Sequence, residues 1–181
     1  MADELIDICD ENNNLLGIQK MKSEAHKKGL WHRASHIWIY NSKRQILLQL
    51  RTEEKHLYPN MWDISVAGHI GAGENPVVAG LREMEEEIGL KLKKEDLDFW
   101  MIKKHKDVFR DIKNNEFYYV YFSKFDGDIK QLKLQKEEVK KIQFLSIDKI
   151  KKELKTNPGR YTPRKDYWFE VLDELKKRVI S

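Results

Sequence analysis

Cysteine is almost absent from this chain: there is one, Cys9, among 181 residues. An intrachain disulfide and a structural zinc site built on paired thiolates are both excluded. Proline is scarce too, at four residues, and no Gly/Ser tract, low-complexity stretch or repeat period marks an internal boundary. No apolar run approaches the ~18 to 20 residues that a membrane helix needs, and the opening MADELIDICDE is acidic where a secretory signal would be basic and then apolar. The expectation is a cytoplasmic protein with no membrane partner. A large excess of one charge is also missing. There are 34 Lys+Arg against 30 Asp+Glu, a net +4, which favours anionic partners only mildly. The lysine pairs at 103–104, 140–141 and 151–152 alternate with acids and apolar residues, the pattern of wet helix and strand faces, which argues against nucleic acid as an obligatory partner. What is present is core material. Hydrophobic residues make up 40% of the chain, with five Trp, enough to exclude wholesale disorder. The length suits one domain over residues 1–181, with residues 1–30 as an extension packed on the core.

In that extension, Glu4 to Cys9 and Leu15 to Met21 flank the turn-rich stretch 10–14, which suits a hairpin, and Ser23 is placed to cap a short helix through Lys27. HIWIY (36–40) and QILLQL (45–50) read as two strands, with a further strand at 63–67. Gly68, Gly71 and Gly73 then crowd one loop, where backbone can take unusual conformations or approach a ligand closely. A helix over 76–88 follows: Asn75 is a good cap, Pro76 fits the first turn, and Gly89 is placed to end it. FYYVYF (117–122) is a strong strand and 142–145 a weaker one. Ser146 caps a short Lys-rich helix, and 165–179 is an amphipathic helix burying Trp168, Val171, Leu172 and Leu175. This order implies an α/β fold, helices packed on a mixed sheet.

On the helix 76–88, Val77, Leu81, Met84 and Ile88 form an apolar stripe. At ~100° per residue, Glu83, Glu86 and Glu87 fall within an arc of roughly 100° on nearly the opposite side. Like charges at these spacings cost about 0.2 to 0.5 kcal/mol per pair, and Arg82 relieves part of that through Glu86. A solvated acidic face is one reading. The other is a hard divalent cation, since magnesium takes oxygen ligands and bridges carboxylates to substrate phosphate.

The stretch GHIGAGENPVVAGLREMEEEIGL, Gly68 to Leu90, decides between them. It resembles the Nudix box, G x5 E x7 REUxEExGU with U bulky and apolar, at every fixed position: Gly68, Glu74, Arg82, Glu83, Glu86, Glu87 and Gly89. At average residue usage the chance of agreement is below about 10⁻⁷ per starting point. The resemblance implies a Nudix fold, an α/β/α sandwich with a loop-helix-loop metal site, and hydrolysis of a nucleoside diphosphate linked to some moiety X. It also implies that Glu83, Glu86 and Glu87, with the backbone carbonyl of Gly68, bind magnesium or manganese. Arg82 would orient Glu83, Glu74 would brace the loop, and Glu83 or Glu86 would accept a proton from the attacking water.

Outside the box, SEAHKKGLWHRASHIWIY, LLQLRTEEKHLYPNMWDISVAGHIGAGE and NNEFYYVY resemble Nudix proteins related to type 1 isopentenyl-diphosphate isomerase, over roughly Leu5 to Phe122. By that likeness His26, His32, His69 and Glu116 correspond to metal ligands of the isomerase. The alternatives are ordinary core or surface histidines, a phosphate contact for His69, and a general base or capping role for Glu116. Arg51, Lys55 and His56 lead into Trp62, and cations there could hold a diphosphate, while Trp62 itself suits the core. Tyr161, Arg164 and Trp168 suit either closure over a substrate or helix docking. Ala67 departs from the isomerase, which places its proton-transferring cysteine there, and the complete carboxylate cluster favours hydrolysis. The leading expectation is therefore a magnesium-dependent diphosphate hydrolase with a small-molecule substrate. An isomerase-like activity and a catalytically idle nucleotide-binding module are the alternatives, and a homodimer stays open.

Overall fold

The structure, a computed structural model, describes residues 3–178. Met1 and Ala2 of the expected extension and Val179 of the expected last helix lie outside the described residues. Among the described residues, nine strands form one connected mixed sheet. The strands β1 (Leu5–Cys9) and β2 (Leu15–Met21) make the expected antiparallel hairpin, and the short helix α1 (Lys22–Lys28) follows. Ser23 does not cap α1 as expected. Its hydroxyl donates to Asp3 Oδ2 at 2.6 Å and its amide to Oδ1 at 3.1 Å, so a carboxylate from upstream satisfies the first turn instead.

The long strand β3 (Trp31–Tyr40) is the centre of the sheet. It starts five residues before the expected strand, because its first half pairs with β8 (Ile112–Lys124), in parallel, across the whole of 31–40. On its other side β3 pairs antiparallel with β6 (Val66–His69), while β4 (Gln45–Arg51) carries β5 (Trp62–Asp63) and β9 (Val139–Ser146). The single strand expected at 63–67 is thus two short ones. Between them Ser65 accepts the Ile39 amide at 2.8 Å and donates its hydroxyl to the Leu47 carbonyl at 2.6 Å, a side chain doing the work of a ladder bond between β3 and β4. The strand β7 (Asp98–Phe109) pairs with β8. It escapes a hydrophobic reading because polar residues occupy both its faces, Lys104 and Lys106 exposed and Lys103, His105 and Asp107 partly buried.

Alternation along the strands sorts the core into two layers. Trp38, Ile46, Leu48, Tyr118 and Val120 face the helices α3 (Ile147–Thr156) and α4 (Lys165–Arg178). Ile37, Ile39, Leu47 and Tyr121 face α2 (Pro76–Ile88) through Met84 and Ile88. The result is the expected helix/sheet/helix layering. Ser146 caps α3 as expected, and Trp168, Val171, Leu172 and Leu175 are buried on α4. Among the described residues no helix is long and apolar enough to cross a membrane.

Candidate active site

The helix α2 starts and stops where its sequence dictates. Asn75 Oδ1 accepts the Val77 amide at 2.9 Å, Pro76 occupies the first turn, and Gly89 closes the helix at φ 68°. Its seating on β3 depends on Gly80, where a Cβ would come within 2.7 Å of Ser35 Oγ and 3.0 Å of Ile37 Cδ1. Seated this closely, α2 presents Arg82, Glu83 and Glu86 to one side. Glu87 departs from the outward face that spacing implies. It lies on the flank beside Met84 and is 1% exposed, whereas the Glu86 side chain is half exposed.

Arg82 organises the carboxylates. Its Nε and Nη2 donate to the two oxygens of Glu74 at 3.0 Å each, and its Nη1 donates to Glu83 at 2.7 Å and Glu86 at 3.2 Å. Nη2 also reaches the carbonyl of His69 at 3.2 Å, and Glu74 accepts the Gly71 amide at 3.0 Å. One guanidinium thereby ties the glycine loop to the helix. Gly68 serves the same arrangement: a Cβ there would lie 2.0 Å from Glu83 Cδ, so the Glu83 carboxylate rests against bare backbone. Burial pushes the Glu83 carboxyl up to about 7 against the pull of Arg82. It pushes Glu87 up to about 8, with Lys55 opposing and Glu83 adding to the rise. Glu87 Oε2 accepts from Gln49 at 3.0 Å, while Oε1 has no hydrogen-bond partner among the described residues and lies 4.0 Å from Lys55 Nζ. One buried and one partly buried carboxyl, with an unpaired oxygen and an all-oxygen donor set, fit a hard divalent cation.

Gly68, Glu83 and Glu86 line a cavity of about 930 Å³. The same cavity is lined by His26, His69 and Glu116, which with His32 form a second candidate metal centre. One ligand atom from each of the four lies within 4.8 Å of the others. Strand pairing sets His32 directly opposite Glu116, and β6 delivers His69. Glu116 Oε1 is 3.5 Å from His32 Nε2 and 3.4 Å from His69 Nε2. His32 Nδ1 lies 2.9 Å from the Leu30 carbonyl, a contact that turns Nε2 towards Glu116. The Nε2 atoms of His26, His32 and His69 are all buried without a hydrogen-bond partner. Burial pushes His26 down to about 4 and His69 well below its ordinary value. Three imidazoles around one carboxylate, with His26 and His69 favoured in their neutral form, suit a divalent metal of the kind that takes nitrogen with oxygen.

Of the residues expected to hold substrate, His69 thus sits in the histidine cluster, and Arg51 and Lys55 line the cavity with internal partners already engaged. Arg51 donates to the Leu57 carbonyl and to Asp63 Oδ2, each at 3.0 Å, and Lys55 is paired with Glu138. Trp62 is core, as are Tyr161 and Trp168. Arg164 is not: it lines the cavity and donates to Asp63 Oδ1 at 3.1 Å. Asp63, His36 and Gln49 carry no motif, and only the period-2 alternation of their strands, which puts a polar residue at an inward position, marks them in the sequence.

Residues 8–167 match the family described as NUDIX domain. Nudix hydrolase 3 of Arabidopsis thaliana is 36% identical over 90% of this chain, and the chain spans 22% of that longer protein. The isopentenyl-diphosphate Delta-isomerase of Pectobacterium atrosepticum is 32% identical over 91% of this chain and 86% of its own length. Among solved structures, DR0079 from Deinococcus radiodurans superposes with a TM-score of 0.66 at 20% identity, covering 85% of this chain and 90% of that one, a likeness of fold.

Proposed function

The chain belongs to the NUDIX family of hydrolases, and from that premise we propose that it hydrolyses a phosphoanhydride bond of a nucleoside diphosphate derivative with magnesium or manganese bound at Glu83, Glu86, Glu87 and the Gly68 carbonyl. The observation that carries this reading is the pair of Glu83, partly buried, and Glu87, fully buried. Burial raises both carboxyls, and two acids so placed, one with an oxygen that has no partner among the described residues, suit a cation that displaces their protons.

When bound, the cation neutralises the phosphoryl oxygens and acidifies its water. The chain supplies the rest. Water adds to one phosphorus, the bridging P–O bond breaks, and two phosphate products leave, with the proton of the water accepted by Glu83 or Glu86. Arg82 is a positioning residue that fixes Glu83 and Glu86 relative to the loop. Lys55, Arg51 and His69, which line the cavity, are the side chains proposed to contact the diphosphate. Nucleoside di- and triphosphates, nucleotide sugars and isoprenoid diphosphates, each tried with magnesium, manganese and EDTA, test the reading. Release of a mononucleotide or phosphate, abolished by EDTA, is expected. Tight nucleotide binding without turnover under any divalent ion would make the chain a binding module.

A second reading, isomerisation of a small homoallylic diphosphate, is favoured by the His26, His32, His69 and Glu116 cluster. Against it, Ala67 lines the cavity where the isomerase carries its cysteine. Cys9 is no substitute: it is buried on β1, where burial pushes its thiol up to about 11. Solvent proton exchange into isopentenyl diphosphate without phosphate release would support isomerisation.

A further inference from the structure

One wall of the cavity is built from polar groups that neither metal centre uses. Asp63, 0% exposed, is shared by two guanidiniums. Its Oδ2 accepts from Arg51, and its Oδ1 accepts from Arg164 at 3.1 Å and from the Thr162 hydroxyl at 3.0 Å. The Ile64 amide donates to Oδ1 at 2.9 Å, so the carboxylate is fully occupied. Burial raises the Asp63 carboxyl, but Arg164 and Arg51 outweigh it and hold the group below its ordinary value, an anion. One negative charge thus serves two positive ones. Glu116 also faces Arg164, yet its oxygens are directed at the histidine cluster and at Asn114. Arg164 Nε is buried with no partner among the described residues, on a side chain 7% exposed that lines the cavity.

His36 stands beside it; both groups lie against the Tyr118 ring, His36 stacked at 3.8 Å and the Arg164 guanidinium 5.5 Å from the centroid. Trp38 Nε1 donates to the Tyr167 hydroxyl at 3.0 Å, and that hydroxyl lies 3.0 Å from His36 Nδ1. The buried phenolic proton has His36 Nδ1 as its acceptor; a proton on Nδ1 would strand it. The His36 proton therefore sits on Nε2, in a residue that lines the cavity. Burial, with Arg164 adding, pushes His36 down to about 3, so this donor is neutral.

We propose that Arg164 and His36 form a prearranged donor pair that recognises an anionic group of the substrate other than its scissile diphosphate, a carboxylate or a phosphate monoester. The proposal rests on the hydrolase reading and deepens it by naming the class of X. A hydrocarbon tail placed against this wall would leave the Arg164 Nε without an acceptor and is disfavoured.

Matched ligand pairs test it: UDP-glucuronate against UDP-glucose for a carboxylate, and NADPH against NADH for a phosphate monoester. The wild type is expected to favour the more anionic member of at least one pair by about tenfold or more in kcat/KM, the value of one charged hydrogen-bonded contact. Which pair shows it identifies the anion. Arg164→Met should bring the ratio to near one, Arg164→Lys should keep part of it, and Tyr167→Phe, which frees the His36 tautomer, should reduce it severalfold. Thermal melting checks folding, and if Arg164→Met fails to fold, the lysine and Tyr167→Phe variants carry the test. If none of the four is hydrolysed, calorimetric Kd values for the same ligands with magnesium decide the question separately. A retained preference keeps the donor pair, and the hydrolase reading is judged separately on the wider panel of diphosphates. Equal constants within both pairs, a preference indifferent to Arg164→Met, or binding of none of the four overturns the proposal.

Discussion

Replacing Glu87 by Gln should make the metal-free protein more stable and the enzyme nearly inactive, a combination expected only of a residue kept for its chemistry. The substitution preserves shape and the bond to Gln49 while removing the charge. The carboxyl of Glu87 is raised to about 8 from an ordinary 4.5. A carboxylate with a raised folded value favours the fold at low pH, and the advantage drains away as pH rises from 4.5 towards 8. With one pKa unit worth about 1.4 kcal/mol, the wild type carries a penalty of roughly 3 kcal/mol by pH 7, a ceiling because Lys55 and local relaxation soften it. Urea unfolding in EDTA at pH 5, 6, 7 and 8 reads this directly. The variant should match the wild type near pH 5 and exceed it by about 1 to 3 kcal/mol at pH 7 to 8, while turnover in excess magnesium falls at least ~100-fold, about 2.7 kcal/mol of transition-state stabilisation. Equal pH slopes for the two proteins, or unchanged turnover, would refute the reasoning.

Gly68→Ala forces Glu83 off its rest, since the new Cβ would sit 2.0 Å from Glu83 Cδ; turnover should drop by about tenfold or more, with kcat rather than folding reporting the loss. Arg82→Lys keeps the charge but cannot span Glu74, Glu83 and Glu86 together, so kcat should fall by roughly 10- to 100-fold while Lys substitutes poorly for the planar fork. His32→Ala should abolish uptake of zinc or manganese at the histidine cluster, measured by metal analysis after dialysis, and leave magnesium-dependent turnover largely intact; a wild type that takes up neither metal would remove the basis for that site.

Much of this was legible without coordinates, and the reasons are local. The helix α2 carries its own start, stop and apolar stripe, so residues 76–88 appear as read. Helix geometry also brought Glu83 and Glu86 together, but it put Glu87 on the outer face, because an angle on a wheel does not say how far a neighbouring strand rises over the flank. Gln49 on β4 and Lys55 cover that flank. Three features depend on pairing across the sheet. The split of 63–67 arises because Ser65 bridges β3 and β4. The strand β7 alternates polar residues and is recruited by β8. Asp63 gathers Arg51 and Arg164 from 12 and 101 residues away, a separation that no motif spans.

The central claim is that Glu83, Glu86 and Glu87 exist to hold a cation that holds phosphate oxygens. Calorimetric titration of magnesium into the His32→Ala protein at pH 7, with a non-hydrolysable nucleoside diphosphate analogue and in two buffers of different ionisation enthalpy, tests it most directly. The predicted result is saturable uptake with release of protons, since Glu83 and Glu87 are raised to about 7 and 8, and loss of that uptake in a Glu83→Gln, Glu87→Gln double variant. Absence of magnesium uptake with and without the analogue, or uptake unchanged in the double variant, would contradict it.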